Sequence, residues 1–139
     1  MQIATVGRKA SKYSKELFEN DKYTDYLYFH GLSVESAEGA AEVVHKRIRQ
    51  ELGFGDEDAK EIEKLFQQGY RGTRYSFGYP ACPSLEDQAL LFELLDPGRI
   101  AVDLTEEFQL VPEQSTSAIV VHHPQAKYFN IKGKRAVTT

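Results

Sequence analysis

The stretch VESAEGAAEVVHKRIRQEL (residues 34–52) carries the most regular pattern in the chain. Its apolar residues follow steps of three or four, which places them on one face of a helix: Val34, Ala37, Ala41, Val44, Ile48 and Leu52. The pattern predicts a long helix that packs through this face and ends at Gly53. Two starts remain open, an N-cap at Ser33 or a start before Gly31, within the aromatic stretch 23–32.

Further helices are predicted on both sides of this one. Residues 8–20 alternate charges as a short exposed helix does, and Asn20–Asp21 ends it. Asp56 or Asp58 is placed to open a second helix, which ends near residues 67–69. Ser84 is a suitable N-cap for a third helix over residues 84–95, and the turn sequence at 96–98 terminates it.

After Ile100 the pattern changes to that of strands. The segments EFQLV (107–111) and SAIVVHH (117–123) flank a polar turn, which predicts a hairpin, and KYFNI (127–131) is typical of a short third strand. Helices first and strands later predict an α+β fold, with long helices packed on a small antiparallel sheet.

Length and composition exclude several classes of protein. The chain has 139 residues, 41% of them hydrophobic, which fits one soluble domain, residues 1–139. It has no apolar run long enough to span a membrane, and its net charge of -4 argues against a nucleic-acid partner. The single cysteine, Cys82, has no internal disulfide partner, so we expect a cytoplasmic protein.

The segment GYRGTRYSFGYPACP (residues 69–83) is the strongest candidate for a binding site. Arg71 and Arg74 can each grip a carboxylate with paired N–H donors, and Tyr75, Phe77 and Tyr79 can flank a flat ring. We expect Gly78 to adopt a conformation, or a close approach, that tolerates no side chain. The alternative is a tight surface loop between two helices.

The same segment resembles the signature of the activation domain of cobalamin-dependent methionine synthase. That family carries an arginine, three variable residues and then Gly-Tyr-Pro-Ala-Cys-Pro, matched here by Arg74 and residues 78–83. The resemblance continues upstream over residues 26–53, which look like the family's His-Gly-led helix, and downstream over residues 104–129, which look like its hairpin. It covers residues 23–131 in all. It implies that the chain is the C-terminal part of such a domain.

The resemblance implies a role in methionine biosynthesis. Members of the family bind S-adenosylmethionine and hold its methyl group over a cobalamin carried by a neighbouring domain. An electron from flavodoxin or a similar reductase, together with that methyl group, restores a cobalamin that has oxidised to the inactive cob(II)alamin state. The implied partners are the cobalamin-binding domain and the reductase.

The resemblance also implies the ligand contacts. The carboxylate of S-adenosylmethionine is expected at Arg74, its adenine along the loop backbone, and its sulfonium near Glu38 and Tyr128. The cofactor-binding residues implied at matching positions are Arg74, Tyr75, Ser76, Gly78, Tyr79, Glu38 and Tyr128. No catalytic base is needed, because the cobalt of the reduced cobalamin is the attacking group.

Two alternatives accompany this interpretation. In the first alternative, the chain is an interaction module of the same fold, which docks on a cobalamin-binding domain or a reductase without binding the ligand tightly. His45, three residues after Glu42, has a helical spacing that can bind a metal, but no cysteine or second histidine lies near it in sequence. We therefore expect no metal site.

Overall fold

The fold combines helices with short antiparallel strands, as predicted. The structure is a computed structural model that describes residues 1–128. In chain order it forms β1 (Gln2–Thr5), α1 (Arg8–Glu19), α2 (Tyr23–Glu51), α3 (Ile62–Leu65), β2 (Thr73–Ser76), α4 (Gln88–Leu95), β3 (Asp103–Leu104), β4 (Leu110–Val111) and β5 (Ser115–Val121). One-turn 3-10 segments lie at Gly55–Glu57 and Pro97–Ile100.

The main sheet has three antiparallel strands in the order β1-β5-β2, so β5 is central. The register pairs Ile3 with Ser117 on one side of β5 and Arg74 with Val120 on the other. Helix α2 packs against β1 and β5, and α1 packs against α2. The sheet therefore joins three parts of the chain that are distant in sequence: the N-terminal strand β1, the strand β2 within residues 69–83, and β5.

The predicted hairpin between residues 107–111 and 117–123 is wrong. β4 pairs with β3 in a separate two-stranded sheet, whereas β5 pairs with β1 and β2. Pro112, which has no backbone N–H, follows β4 directly and cannot continue a ladder. Of the predicted strand at 127–131, Lys127 and Tyr128 lie outside any strand, and the rest lies outside the described residues.

Helix α2 runs without a break from Tyr23, so the start before Gly31 is the correct one. Its buried face differs from the predicted apolar face, because Val34, Val44 and Leu52 are exposed. The buried residues instead follow a strict four-residue step: Ser33, Ala37, Ala41, His45 and Arg49. The small side chains let the helix approach the sheet closely. The two large polar side chains have partners: Arg74 contacts His45, and Asp58 pairs with Arg49.

The other predicted helices are present but shorter. α1 matches its prediction, and α4 begins at Gln88 instead of residue 84 and ends at Leu95 as expected. The helix predicted after Asp56 is reduced to a 3-10 turn and the four-residue α3. Leu91 of α4 is fully buried and packs with Phe77 and Cys82 in the apolar core beside the sheet.

Within the described residues, no helix combines the length and the apolar character that a membrane span requires.

Candidate functional site

A groove of about 530 Å³ lies between α2, β2 and the segment before β2. This volume is within the range of small-molecule sites in proteins. We call it the α2–β2 groove and define it by its lining residues: Glu38, Glu42, Phe66, Gln67, Gln68, Tyr70, Thr73, Arg74, Ser76, Tyr79 and Tyr128. Phe66, Tyr79 and Tyr128 are all exposed, so the groove is open to solvent along an aromatic rim.

Arg74 lies in the wall of the groove on the edge strand β2. Its side chain is 14% exposed, and its Nη2 donates to Glu42 Oε1 at 2.6 Å. Its Nη1 lies 3.2 Å from His45 Nδ1. Burial opposes the charged guanidinium, but the hydrogen bond and charge of Glu42, with a smaller contribution from Glu38, raise the pKa of Arg74. Arg74 is therefore a fixed, permanent cation.

His45 lies directly behind Arg74 and is fully buried. Burial, together with the nearby charges of Arg49 and Arg74, lowers the pKa of His45 from 6.5 to about 4. Its ring meets the Tyr70 ring edge-on at 5.2 Å and lies 5.9 Å from the His122 ring. At neutral pH His45 is thus an uncharged imidazole between two guanidinium groups.

Arg49 is a second buried cation, and it contacts Tyr70, which lines the groove. Arg49 pairs with Asp58 through two hydrogen bonds of 2.7 Å, and both side chains are almost completely buried. The Arg49 guanidinium carbon also lies 4.1 Å from the centre of the Tyr70 ring. Such a bidentate pair holds its groups in one geometry, so the Tyr70 ring has a rigid support.

The Gly-Tyr-Pro-Ala-Cys segment forms a closed turn at the end of the groove. Cys82 N–H donates to Tyr79 O at 2.8 Å, with Pro80 in the second position of the turn, and Gly78 N–H donates to Cys82 O at 2.9 Å. Gly78 has φ +83°, and a Cβ there would lie 3.0 Å from a Leu85 methyl carbon. The expectation for Gly78 is confirmed.

Cys82 faces inward from this turn. It is buried in the apolar core, and burial, with the charge of Asp87, raises the pKa of its thiol. Its role in the motif is packing, since a raised pKa disfavours the nucleophilic thiolate.

The segment that carries Tyr128 is attached to the groove by two hydrogen bonds. Tyr128 N–H donates to Gln68 Oε1 at 3.0 Å, and the Tyr75 hydroxyl donates to Lys127 O at 3.0 Å. Gln68 has a positive φ of 56°, and its amide nitrogen also donates to the Thr73 hydroxyl. Gln68 thus links Tyr128 to β2.

Five of the seven predicted site residues line this one groove: Arg74, Ser76, Tyr79, Glu38 and Tyr128. The Tyr75 side chain packs against the core instead, and Gly78 lies in the turn, so neither lines the groove. Their proposed contacts are through the backbone and stay predictions.

Three expectations for the segment of residues 69–83 are wrong. Phe77 is buried in the core and does not flank the groove, because successive side chains of β2 and its extension alternate between faces. Arg71 points away as well: it donates to His122 O, pairs with Glu57 and lies over the Phe54 ring. The segment is also not a loop throughout, since Thr73–Ser76 is a strand.

The structure adds residues that sequence reasoning missed, above all Glu42, His45 and Gln68. Glu38, Glu42 and His45 are spaced by four and three residues, so they share one face of α2. That spacing is visible in the sequence, but it does not reveal that Glu42 and His45 contact an arginine of β2. Among residues 1–128, no three histidine, cysteine or carboxylate side chains are close enough together to hold a metal ion.

A second cavity of about 520 Å³ lies between α1 and the start of α2, and its lining includes Lys12, Phe18, Tyr26 and Gln114. It shares no lining residue with the α2–β2 groove.

Known proteins are similar to this chain in sequence. The chain is 52% identical over 136 residues to a methionine synthase of Mycobacterium tuberculosis and 48% identical to one of Mycobacterium leprae. The alignments cover 94% of this chain but 11% of each relative, so the chain corresponds to a small part of those enzymes.

A solved structure is similar as well. The crystal structure of the MetH reactivation domain bound to AdoHcy superposes with a TM-score of 0.80 at 29% identity, over 86% of this chain and 38% of that one. The family model for the vitamin B12-dependent methionine synthase activation domain matches residues 1–135. The chain therefore belongs to the activation-domain family of vitamin B12-dependent methionine synthase.

Proposed function

We propose that the α2–β2 groove binds S-adenosylmethionine and presents its methyl group for the reactivation of cobalamin in a methionine synthase. The observation that carries this proposal is the convergence of Arg74, Glu38 and Tyr128, from a strand, a helix and a C-terminal segment, on one open groove. The similar MetH reactivation domain was crystallised with AdoHcy, the demethylated form of this ligand.

The ligand carboxylate pairs with Arg74 in this proposal. The guanidinium lies in the groove wall with little exposure, where a charge-assisted hydrogen bond is stronger than in open water. Adenine lies toward Ser76 and Tyr79, where the groove supplies a hydroxyl group and an aromatic ring.

The sulfonium lies between Glu38 and Tyr128. A cation is stabilised by a carboxylate and by the face of an aromatic ring, and this side of the groove supplies both. Glu42 adds a second carboxylate on the same helix face. The open rim leaves the sulfonium methyl accessible to a second domain, which a closed pocket would prevent.

Reduced cobalamin, carried by a neighbouring domain, supplies the nucleophile that accepts the methyl group. This chain binds and orients the donor and provides no general base. The proposed partners are that cobalamin-binding domain and a flavodoxin-like or other reductase, in the cytoplasm. We further propose that residues 1–139 form one domain, which corresponds to the C-terminal part of an activation domain.

Titration calorimetry with S-adenosylmethionine tests the proposal. We expect saturable binding by the chain, and Arg74→Ala should weaken it by about 1.5–3 kcal/mol, or roughly 10- to 150-fold. Arg74→Lys should recover only part of this loss, because an ammonium cannot form two parallel hydrogen bonds to a carboxylate. A folded Arg74→Ala variant that binds as tightly as the parent would contradict the proposal.

A second candidate function is an interaction module that lacks tight ligand binding. The observation in its favour is that Arg74 already pairs with Glu42 and His45, as a purely structural arginine does. A well-folded chain with no detectable S-adenosylmethionine binding, but with saturable binding to an isolated cobalamin-binding domain, would support this alternative.

A further inference from the structure

The contact between Arg74 and His45 determines which nitrogen of His45 carries the proton. Every polar hydrogen on a guanidinium is a donor, and the group has no acceptor. The ring nitrogen 3.2 Å from Arg74 Nη1 is Nδ1, so Nδ1 carries the lone pair and Nε2 carries the proton. A protonated imidazole would place two cations in contact inside the protein.

The same guanidinium is held on its other side. Glu42 Oε1 accepts from Nη2, so the two terminal nitrogens of Arg74 each have a separate anchor on α2. Because α2 packs on β1 and β5, the two anchors restrict rotation of the guanidinium about its long side chain. Two contacts use two of the five N–H donors that a guanidinium carries.

We propose that His45 is a positioning residue for the ligand: its neutral imidazole accepts a hydrogen bond from Arg74 and, together with Glu42, orients the guanidinium toward the carboxylate of a bound amino-acid moiety. The inference rests on the proposed function and names a further determinant of the same groove. His45 itself is fully buried and does not line the groove, so it acts through Arg74.

The surroundings of His45 maintain the neutral form. Arg49 and Arg74 face it with positive charge, Glu42 with negative charge, and Tyr70 and His122 with their rings. Among the described residues His45 Nε2 has no hydrogen-bond partner, which is a cost in a buried site. A leucine or phenylalanine would avoid that cost, so the imidazole is explained by what Nδ1 does.

Two substitutions separate hydrogen bonding from packing. His45→Leu keeps much of the volume and removes the acceptor, whereas His45→Asn keeps an oxygen acceptor near the position of Nδ1. Val43→Ala on the same helix is the matched control, since Val43 is exposed and lies outside the groove. Each variant is first checked for cooperative unfolding.

Binding is measured with S-adenosylmethionine and with decarboxylated S-adenosylmethionine, which lacks the carboxylate that Arg74 is proposed to bind. We expect His45→Leu to weaken S-adenosylmethionine about tenfold and the decarboxylated ligand less than about twofold. His45→Asn should restore most of the affinity, and His45→Leu should add nothing in an Arg74→Ala background. Equal loss for both ligands, or no loss for either, would overturn the inference.

A measurement without ligand keeps the two proposals distinguishable. Nitrogen-15 NMR of His45 in the parent chain should show the Nε2–H tautomer, and the Arg74 guanidinium should rotate faster in His45→Leu. An Nδ1–H tautomer, or unchanged Arg74 rotation, would overturn the positioning role. A parent chain that binds neither ligand would overturn the proposed function. In that case the His45 tautomer and the Arg74 rotation rate would still test whether His45 restricts Arg74.

Discussion

Arg74 is the central residue of the proposed site, and its surroundings were only partly predictable. The motif includes an arginine at this position, and the structure places it in the groove wall. The sequence alone does not reveal that Glu42 and His45 hold it, because those contacts join residues 32 and 29 positions apart. Long-range polar pairs have no local signal, unlike the turn chemistry of Gly78.

Gly72 provides a test at a single position. It has φ +84°, and a Cβ there would lie 2.3 Å from the Val121 carbonyl oxygen on the adjacent strand. We expect Gly72→Ala to lower the free energy of unfolding by about 2 kcal/mol or more, because both the backbone conformation and the strand contact oppose a side chain. Urea unfolding measures this. An unchanged urea midpoint would contradict the positive φ and the close contact with Val121 at this position.

Helix α2 is the element that organises the site, since Glu38 and Glu42 line the groove while His45 lies on the buried face of the same helix, behind Arg74. Its existence was predictable from periodicity, but its buried face was predicted only at Ala37 and Ala41. Apolar spacing favoured Val34 and Val44, whereas burial follows small residues and the paired side chains of His45 and Arg49. The periodicity of apolar residues does not reveal a polar or charged side chain that is buried together with its partner.

Gly31 tests the continuity of α2. It lies within the helix, its φ is ordinary, and the space around its missing Cβ is open. Gly31→Ala should therefore raise the free energy of unfolding by about 0.5–1 kcal/mol, as alanine does in a helix interior. The variant is the counterpart of Gly72→Ala, and thermal unfolding is the measurement. A destabilised Gly31→Ala chain would indicate that the helix breaks at this residue.

In the molecule as a whole, β1, β2 and β5 bring three distant segments together in one sheet, of which β2 lines the groove. The α+β class and most helices were predictable from local patterns. The strand pairing was not, because β1 has only four residues and β5 joins partners from both halves of the chain. The false hairpin arose from assigning β5 to its nearest neighbour in sequence, whereas its hydrogen bonds go to β1 and β2.

The stability of the whole chain should depend on pH through His45. Its pKa is about 4 when folded and 6.5 when unfolded, so the unfolded state binds its proton at higher pH. Stability is then complete above pH 6.5 and declines as the pH falls toward 4, with a loss of about 2 kcal/mol between pH 8 and pH 5.

Urea unfolding of the parent and of His45→Asn at the two pH values isolates this effect, since asparagine does not titrate. His122, whose pKa is also lowered by burial, is present in both chains. The decline should be smaller in the variant by about 2 kcal/mol. Identical declines in the two chains would show that His45 is not held neutral.

The central claim is that the α2–β2 groove is where S-adenosylmethionine binds, and NMR titration of the isotopically labelled chain tests it most directly. We predict saturable shifts at Arg74, Ser76 and Tyr128, a contact between the labelled ligand methyl and the Tyr128 ring, and no shifts around Phe18 and Tyr26 in the second cavity. Shifts confined to the second cavity, or a groove unaffected at saturating ligand, would contradict the claim.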